Sequence, residues 1–124
     1  MPHTPDTLLR AFADAWNRHD LDGLLALCTE DCVFETASGL LSCGARHIGK
    51  DALSAAFPTA WRIWPDARWE GSTHVVAGDR AFSEWTFRGT DAQGRTIEVR
   101  GVDLFEIRDG LIARKDTYRK QRIA

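Results

Sequence analysis

The sequence predicts an α+β protein in which a strongly curved antiparallel sheet wraps around N-terminal helices. Helical spacing of apolar residues is confined to the first half of the 124 residues, whereas the second half alternates apolar and polar residues as strands do. Helices and antiparallel strands that are segregated in this way are typical of the α+β class. No repeat, linker or low-complexity segment divides the chain, so residues 1–124 are predicted to form one domain.

Three helices are predicted in the first half. The helix over residues 6–17, with Asp6 or Thr7 as its cap, places apolar side chains at helical spacing, namely Leu8, Leu9, Phe12, Ala15 and Trp16. Asp20 caps a second helix, whose buried side carries Leu21, Leu24, Leu25, Leu27 and Cys28. A third helix begins near Lys50 and is interrupted near Pro58, because proline lacks the N–H that a helix interior needs.

Strands account for the remainder of the chain. A short strand over residues 32–36 precedes the third helix and is followed by a loop, "ASGLLSCG". Four strands come after the third helix, and the turn sequences "GDR", "TDAQGR" and "RDG" between them indicate a meander. Strict alternation on the first of these strands predicts that Trp69 faces inward and that His74 faces solvent. Trp85 and Phe87 on the next strand share one face.

Asp103 is the residue that the strand pattern leaves unexplained. Alternation places it on the apolar face of its strand, between Gly101 and Phe105. A carboxylate in apolar surroundings is costly unless it is paired, protonated or functional. The sequence therefore offers two interpretations: a catalytic acid, or a structural acid that is satisfied by a tryptophan N–H, a backbone amide or Lys115.

Composition and charge exclude several functional classes. The formal net charge is -2, with acids and bases interspersed and no basic run, so no nucleic-acid partner is predicted. No apolar stretch reaches the roughly 18 residues of a membrane span, so no membrane partner is predicted either. The three cysteines are sparse and odd in number, which favours a reducing cytoplasm. Neither they nor the histidines have the spacing of a metal site, and no metal or cofactor is predicted.

Four segments carry a resemblance to a known superfamily: "WNRHDLDGLLAL", "EDCVFE", "GDRAFSEWTFRGT" and "RGVDLFEIRDGLIARKDTY". In this order they resemble the nuclear transport factor 2-like superfamily, which includes ketosteroid isomerases, limonene epoxide hydrolases and SnoaL-type polyketide cyclases. The resemblance implies a cone-shaped barrel with the N-terminal helices packed on its concave side. It also implies a concave pocket for a small, mostly apolar ligand, and a homodimer.

The resemblance to ketosteroid isomerases gives Asp103 a role. It matches a protonated Asp that donates a hydrogen bond to a developing enolate in those enzymes. Their proton-shuttling base falls on Thr36 and the tyrosine of their oxyanion hole on Phe12. Neither can replace the original group, because threonine is no base near neutral pH and phenylalanine has no proton to give.

The catalytic residues of the other two branches are not complete in this sequence either. SnoaL-type cyclases present a His and an Asp from the last two strands, and these fall on Asp103 and Thr117. Asp116 lies one residue away and would face outward unless the last strand carries a bulge. The Asp-Arg-Asp set of the epoxide hydrolases falls on Trp85, Phe87 and Thr117. None of the three chemistries is therefore complete in this sequence.

Two functions remain open. The first is an isomerase or cyclase in which Asp103 transfers a proton next to a carbonyl or hydrogen-bonds an enolate, with Lys115 and Thr117 as further catalytic candidates. The alternative is a non-catalytic module that binds an apolar metabolite or dimerises. Lys115 and Arg119 share the parity of Thr117 and are expected to face the pocket. The expected partners are a small apolar or aromatic ligand and a second copy of the chain.

The candidate substrate-binding residues are the large rings predicted to face inward, together with one threonine. They are Phe12, Trp16, Phe34, Thr36, Phe57, Trp61, Trp69, Trp85, Phe87 and Phe105. Rings in such positions either line a cavity that suits a flat ligand or meet and fill the barrel. His47, in the segment before the third helix, is expected near the pocket mouth.

Overall fold

A computed structural model describes residues 3–123 and confirms the α+β class. In chain order the elements are α1 (Pro5–Asn17), α2 (Leu21–Ala26), β1 (Cys28–Glu35), β2 (Arg46–Ile48), α3 (Lys50–Ala56), α4 (Thr59–Ile63), β3 (Arg68–Ala77), β4 (Arg80–Thr90), β5 (Thr96–Arg108) and β6 (Leu111–Arg119). The strands form one curved sheet in the order β2-β1-β6-β5-β4-β3. Strand β1 pairs with β6 in parallel, and all other neighbours are antiparallel.

Helix α1 packs its apolar side on the concave face of the sheet. Thr4, rather than the predicted Asp6 or Thr7, is the cap: its hydroxyl accepts a hydrogen bond from the Thr7 amide, and proline occupies the first helical position. Phe12 meets Phe105 of β5 edge-on at 5.7 Å between ring centres. Burying this apolar side removes large rings from water, which is the main favourable contribution to folding.

Two element boundaries differ from the prediction, and two short elements were not predicted. Helix α2 ends at Ala26, so Cys28 belongs to β1, which begins four residues earlier than the predicted 32. The amide of Ile112 donates to the Leu27 carbonyl, and this bond draws the chain into parallel pairing at that point. Strand β2 and helix α4 were not predicted, because three and five residues are too short to show a period.

His74 faces inward, so the prediction that it faces solvent is wrong. Glu70 pairs with Thr86 but Thr73 pairs with Glu84, which leaves one extra residue on β3 between these pairs. Such a bulge reverses which face the following residues occupy. His74 therefore lies beside Ser83 on the concave side, and the two side chains are 2.7 Å apart. Partial burial lowers the pKa of His74.

Candidate functional site

Strands β5 and β6 bring three polar side chains together on the concave face. Their register places Asp103 opposite Thr117 and Phe105 opposite Lys115. The Lys115 ammonium lies 3.1 Å from Asp103 Oδ1 and donates to Thr117 Oγ1 at 2.7 Å. The Thr117 hydroxyl donates to the same Asp103 oxygen at 2.6 Å. We call these three residues the polar triangle; they are the three candidate catalytic residues of the sequence.

The second carboxylate oxygen of Asp103 also has a partner. Trp85 of β4 donates its indole N–H to Asp103 Oδ2 at 3.0 Å. Asp103 thus accepts hydrogen bonds from two donors and forms an ion pair with Lys115, whereas the resemblance to ketosteroid isomerases implied an acid that donates a hydrogen bond. The partners predicted for a structural acid, a tryptophan N–H and Lys115, are both present.

The polar triangle is buried. Asp103 is 7% exposed and Lys115 is 6% exposed. The Lys115 Nζ atom lies 4.5 Å from the ring centre of Phe34 and 5.1 Å from that of Trp16. Aromatic faces attract a cation, and the carboxylate compensates its charge, so the site holds an ammonium that would otherwise be costly to bury.

A large cavity of about 530 Å³ opens onto the polar triangle. This volume is within the usual range for small-molecule sites. Lys115 and Thr117 line it, together with side chains from β1, β2, α3 and α4. Asp103 lines a separate narrow cavity of about 20 Å³, shared with Ser83 and large enough for about one water molecule. Within the polar triangle, Lys115 and Thr117 therefore face the large cavity, and Asp103 lies behind them.

Six of the ten predicted wall residues line the large cavity: Trp16, Phe34, Thr36, Phe57, Trp69 and Trp85. Phe12 and Phe105 line only the narrow cavity. Trp61 and Phe87 line neither. Trp61 stacks on His19 at 5.1 Å, and Phe87 packs between Trp64 and Trp69. These two rings contribute to the packing behind the wall rather than to its surface.

Thr36 reaches the cavity with its hydroxyl already engaged. The Thr36 oxygen accepts from the amide of Ala45 at 2.9 Å, and the hydroxyl donates to the carbonyl of Ser38 at 2.8 Å. Both bonds hold the loop between β1 and β2. Thr36 was predicted to bind substrate, but its hydroxyl group already holds this loop through two hydrogen bonds.

Trp64 and Ile63 line the large cavity although they were not among the predicted wall residues. They belong to the end of α4 and the residue that follows it. The sequence signal for this contact is Gly89 in the interior of β4. A Cβ atom at Gly89 would lie 2.7 Å from the Trp64 side chain, so only glycine leaves room for Trp64 there. Glycine in a strand interior often marks such a close approach. Arg119 and His47, which were expected near the pocket, also line the cavity.

Asp116 points away from the cavity, so Thr117 is the residue that faces it. The Asp116 carboxylate lies 3.7 Å from Arg114 on the outer face of the sheet. Arg114 and Arg46 both donate to the buried carboxylate of Glu35 at 2.9 Å. Burial alone would raise the pKa of Glu35, but the hydrogen bonds from the two arginines outweigh it and hold the pKa below its usual value.

Within residues 3–123, no group of three or more His, Cys, Asp or Glu side chains is placed to hold a metal ion. In the same range, no helix combines the length and the apolar character needed to cross a membrane.

The six-stranded curved sheet and the helices on its concave side are those of the nuclear transport factor 2-like class of α+β proteins. A family model described as a SnoaL-like domain matches residues 9–115, and the chain belongs to this family. No curated protein matches the chain.

Solved structures share the fold over nearly the whole chain. An NTF2-like protein of unknown function from Mesorhizobium loti is 33% identical; the alignment covers 94% of this chain and 90% of the other, with a TM-score of 0.74. A proposed polyketide cyclase from Xanthomonas campestris pv. campestris is 27% identical, with 91% and 87% covered and a TM-score of 0.80. TerC, co-crystallised with polyporic acid, is 18% identical, with 93% and 90% covered and a TM-score of 0.81. At 18% identity the likeness shows the fold alone.

Proposed function

We propose that the chain binds a small apolar or aromatic molecule in the large cavity and that Lys115 holds an oxygen atom of this molecule. The position of the Lys115 ammonium carries the proposal. An ammonium has three N–H donors; that of Lys115 donates one to Thr117 and is held in place by its ion pair with Asp103. A further N–H is available to a ligand, because Lys115 lines the cavity.

The walls suit a flat ligand. Trp16, Trp69 and Phe34 present rings to the cavity close to Lys115. Rings stack on aromatic ligands, and a few polar groups then fix the orientation. A ketone or quinone carbonyl at the inner end of the cavity would accept this further Lys115 N–H.

Asp103 is a positioning residue in this proposal. It does not line the large cavity, and its two oxygen atoms already accept one hydrogen bond each, while one of them is also ion-paired with Lys115. Its carboxylate holds the Lys115 ammonium and the Thr117 hydroxyl in place. This arrangement favours the binding function over a mechanism in which Asp103 itself carries the proton.

One observation supports a second candidate, proton transfer at a carbon next to a carbonyl. His47, Phe34 and Lys115 form one row across β2, β1 and β6, because Phe34 pairs with both of the others. His47 and Lys115 line the same cavity. An ammonium stabilises a developing enolate, and a neutral imidazole accepts a proton, so the row contains both groups that an isomerase or cyclase needs.

The binding proposal is tested by a thermal-shift screen with anthraquinone, progesterone and carvone. A ligand at about 100 times its Kd stabilises the folded state by about 2.7 kcal/mol, which is readily visible as a rise in Tm. We expect at least one compound to raise the Tm of the wild type and to raise that of Lys115→Met less. Arg10→Gln, a change at an exposed position of α1 that lines neither cavity, is the matched control and should respond as the wild type does. An equal response of Lys115→Met and the wild type would refute the proposal.

The catalytic candidate needs a separate measurement. Exchange of the α-hydrogens of α-tetralone for deuterium, followed by NMR, reports proton abstraction next to a carbonyl. Catalysed exchange that is lost in His47→Gln supports the candidate. Binding without catalysed exchange leaves the non-catalytic function.

We also propose that the outer face of the sheet pairs with a second copy of the chain. Phe82, Val102, Leu104 and Tyr118 are neighbours across β4, β5 and β6 on this face. Tyr118 is 55% exposed, and an exposed apolar patch of this kind is typical of an interface. Sedimentation equilibrium should give a dimer for the wild type and a monomer for Leu104→Arg. A monomeric wild type would refute the pairing.

We propose a reducing compartment, the cytoplasm, as the location. Cys28, Cys32 and Cys43 are all free thiols in the structure. Disulfides form in oxidising compartments and are rare in the cytosol. Rapid alkylation of cells that express the chain should find all three cysteines reduced; an oxidised pair would contradict the assignment.

A further inference from the structure

The large cavity carries an unbalanced positive charge. Lys115 and Arg119 line it, and no Asp or Glu is among its lining residues in the described range 3–123. Asp103 compensates Lys115 from behind. The charge that remains without a counterpart is that of Arg119.

Arg119 has aromatic neighbours in place of an acidic one. Its guanidinium carbon lies 5.6 Å from the ring centre of Trp64 and 5.4 Å from that of Phe87. No carboxylate of residues 3–123 lies within ion-pair distance of Arg119, whereas Arg88, Arg108 and Arg114 are each paired. The residue as a whole is exposed, but contact with the two rings keeps part of the guanidinium from water and lowers the pKa of Arg119, which reflects the cost of that partial desolvation. An anion beside the guanidinium would offset that cost.

Arg119 and Lys115 mark the two ends of the cavity. Lys115 is 6% exposed and lies at the inner end, whereas Arg119 is exposed as a whole and lies at the mouth. Both face inward from β6, four residues apart, which corresponds to about 13 Å between their Cα atoms at about 3.3 Å per strand residue. Thr117 lies between them. The rings of Trp64 and Trp69 line the space that they span.

We propose that the cavity selects planar aromatic ligands that carry one anionic group, such as an aryl carboxylate. The anion pairs with Arg119 at the mouth, the rings stack on the tryptophans, and an oxygen at the far end reaches Lys115. Guanidinium and carboxylate match each other in shape and form two parallel hydrogen bonds, which favours an acid over its neutral amide. The inference rests on the proposed binding function and specifies its ligand class.

The test compares two anthraquinones of nearly equal size, the β-carboxylate and the β-carboxamide, by isothermal titration calorimetry. We expect the wild type to bind the carboxylate about tenfold more tightly than the carboxamide. Arg119→Gln should bind both compounds equally. Arg10→Gln removes the same charge from an exposed position outside both cavities and should keep the preference for the carboxylate.

The outcomes separate this inference from the proposed function. If the wild type binds both compounds with equal affinity, or if Arg119→Gln keeps the preference, the anionic ligand class is wrong while the binding function stands. If the wild type binds neither compound, both the inference and the function proposed for this cavity are overturned. A preference of the wild type for the carboxylate that becomes weaker as the salt concentration rises supports the ion pair with Arg119.

Discussion

Gly101 and Trp85 lie directly opposite each other on β5 and β4, and a Cβ atom at Gly101 would be 2.4 Å from the Trp85 indole. The missing side chain is what leaves room for the ring, and the ring in turn donates to Asp103. A glycine that looks like a break in the strand pattern is therefore part of the site. It fixes the position of the indole behind the polar triangle.

The first prediction concerns this contact. Gly101→Ala should lower the free energy of unfolding by about 1–3 kcal/mol, because the indole must move out of a packed position. In a Trp85→Phe background the same change should cost clearly less, since the smaller ring leaves room for a methyl group. Urea denaturation of the four proteins measures the difference. Equal costs in the two backgrounds would contradict the steric argument.

The second prediction concerns the buried ion pair of Asp103 and Lys115. Asp103→Asn should lower the free energy of unfolding by about 3 kcal/mol, because it leaves a buried ammonium without its counter-charge. Lys115→Met should also destabilise the fold, and the double variant should recover most of the combined loss. Denaturant titrations of the wild type, the two single variants and the double variant give the coupling free energy between Asp103 and Lys115. Losses that simply add would show that the two residues act independently.

The third prediction concerns pH and Glu35. Its pKa is lowered in the folded state from the usual 4.5, so its contribution to stability is complete above that value and is lost as the pH falls through the lower folded pKa. Glu35→Gln should lower the free energy of unfolding by about 2–3 kcal/mol near neutral pH, since two arginines lose a buried charged partner. The difference in the free energy of unfolding between Glu35→Gln and the wild type should disappear at acidic pH. A gap that persists through acid unfolding would assign the stabilisation to packing instead of charge.

The fold could be predicted largely because periodicity is long where the elements are long. Helix α1 and strands β4 to β6 each show many repeats of one pattern, and their inward faces were predicted correctly, as for Asp103 and Trp85. Elements with few residues gave no such signal. Strand β2 and helix α4 are examples, and they supply His47 and the neighbourhood of Trp64 to the cavity.

The bulge in β3 shows a different limit of sequence reasoning. Alternation assumes one residue per partner, and the extra residue between Glu70 and Thr73 shifts every later position by one. Gly71, at a positive φ of 65°, is the only local trace of it. Because a glycine in a strand has several explanations, the inward position of His74 could not be deduced before the pairing was known.

The polar part of the site could be predicted from the sequence, and the cavity could not. Lys115, Thr117 and Asp103 share the inward parity of two paired strands, so their proximity follows once the register is fixed. The cavity does not follow in the same way. Whether rings line a space or fill it depends on their packing, as Trp16 and Trp61 illustrate: both were predicted as wall, and only Trp16 reaches the large cavity.

The most direct test of the account is the infrared spectrum of a bound carbonyl. Anthraquinone with heavy-isotope carbonyl groups, bound to the wild type, should show a C=O stretch at lower frequency than the same ligand bound to Lys115→Met, because the ammonium hydrogen bond weakens the carbonyl bond. The control variant Arg10→Gln should give the same carbonyl frequency as the wild type. Identical carbonyl frequencies in the wild type and Lys115→Met would show that the polar triangle does not contact the ligand, and would contradict the central claim.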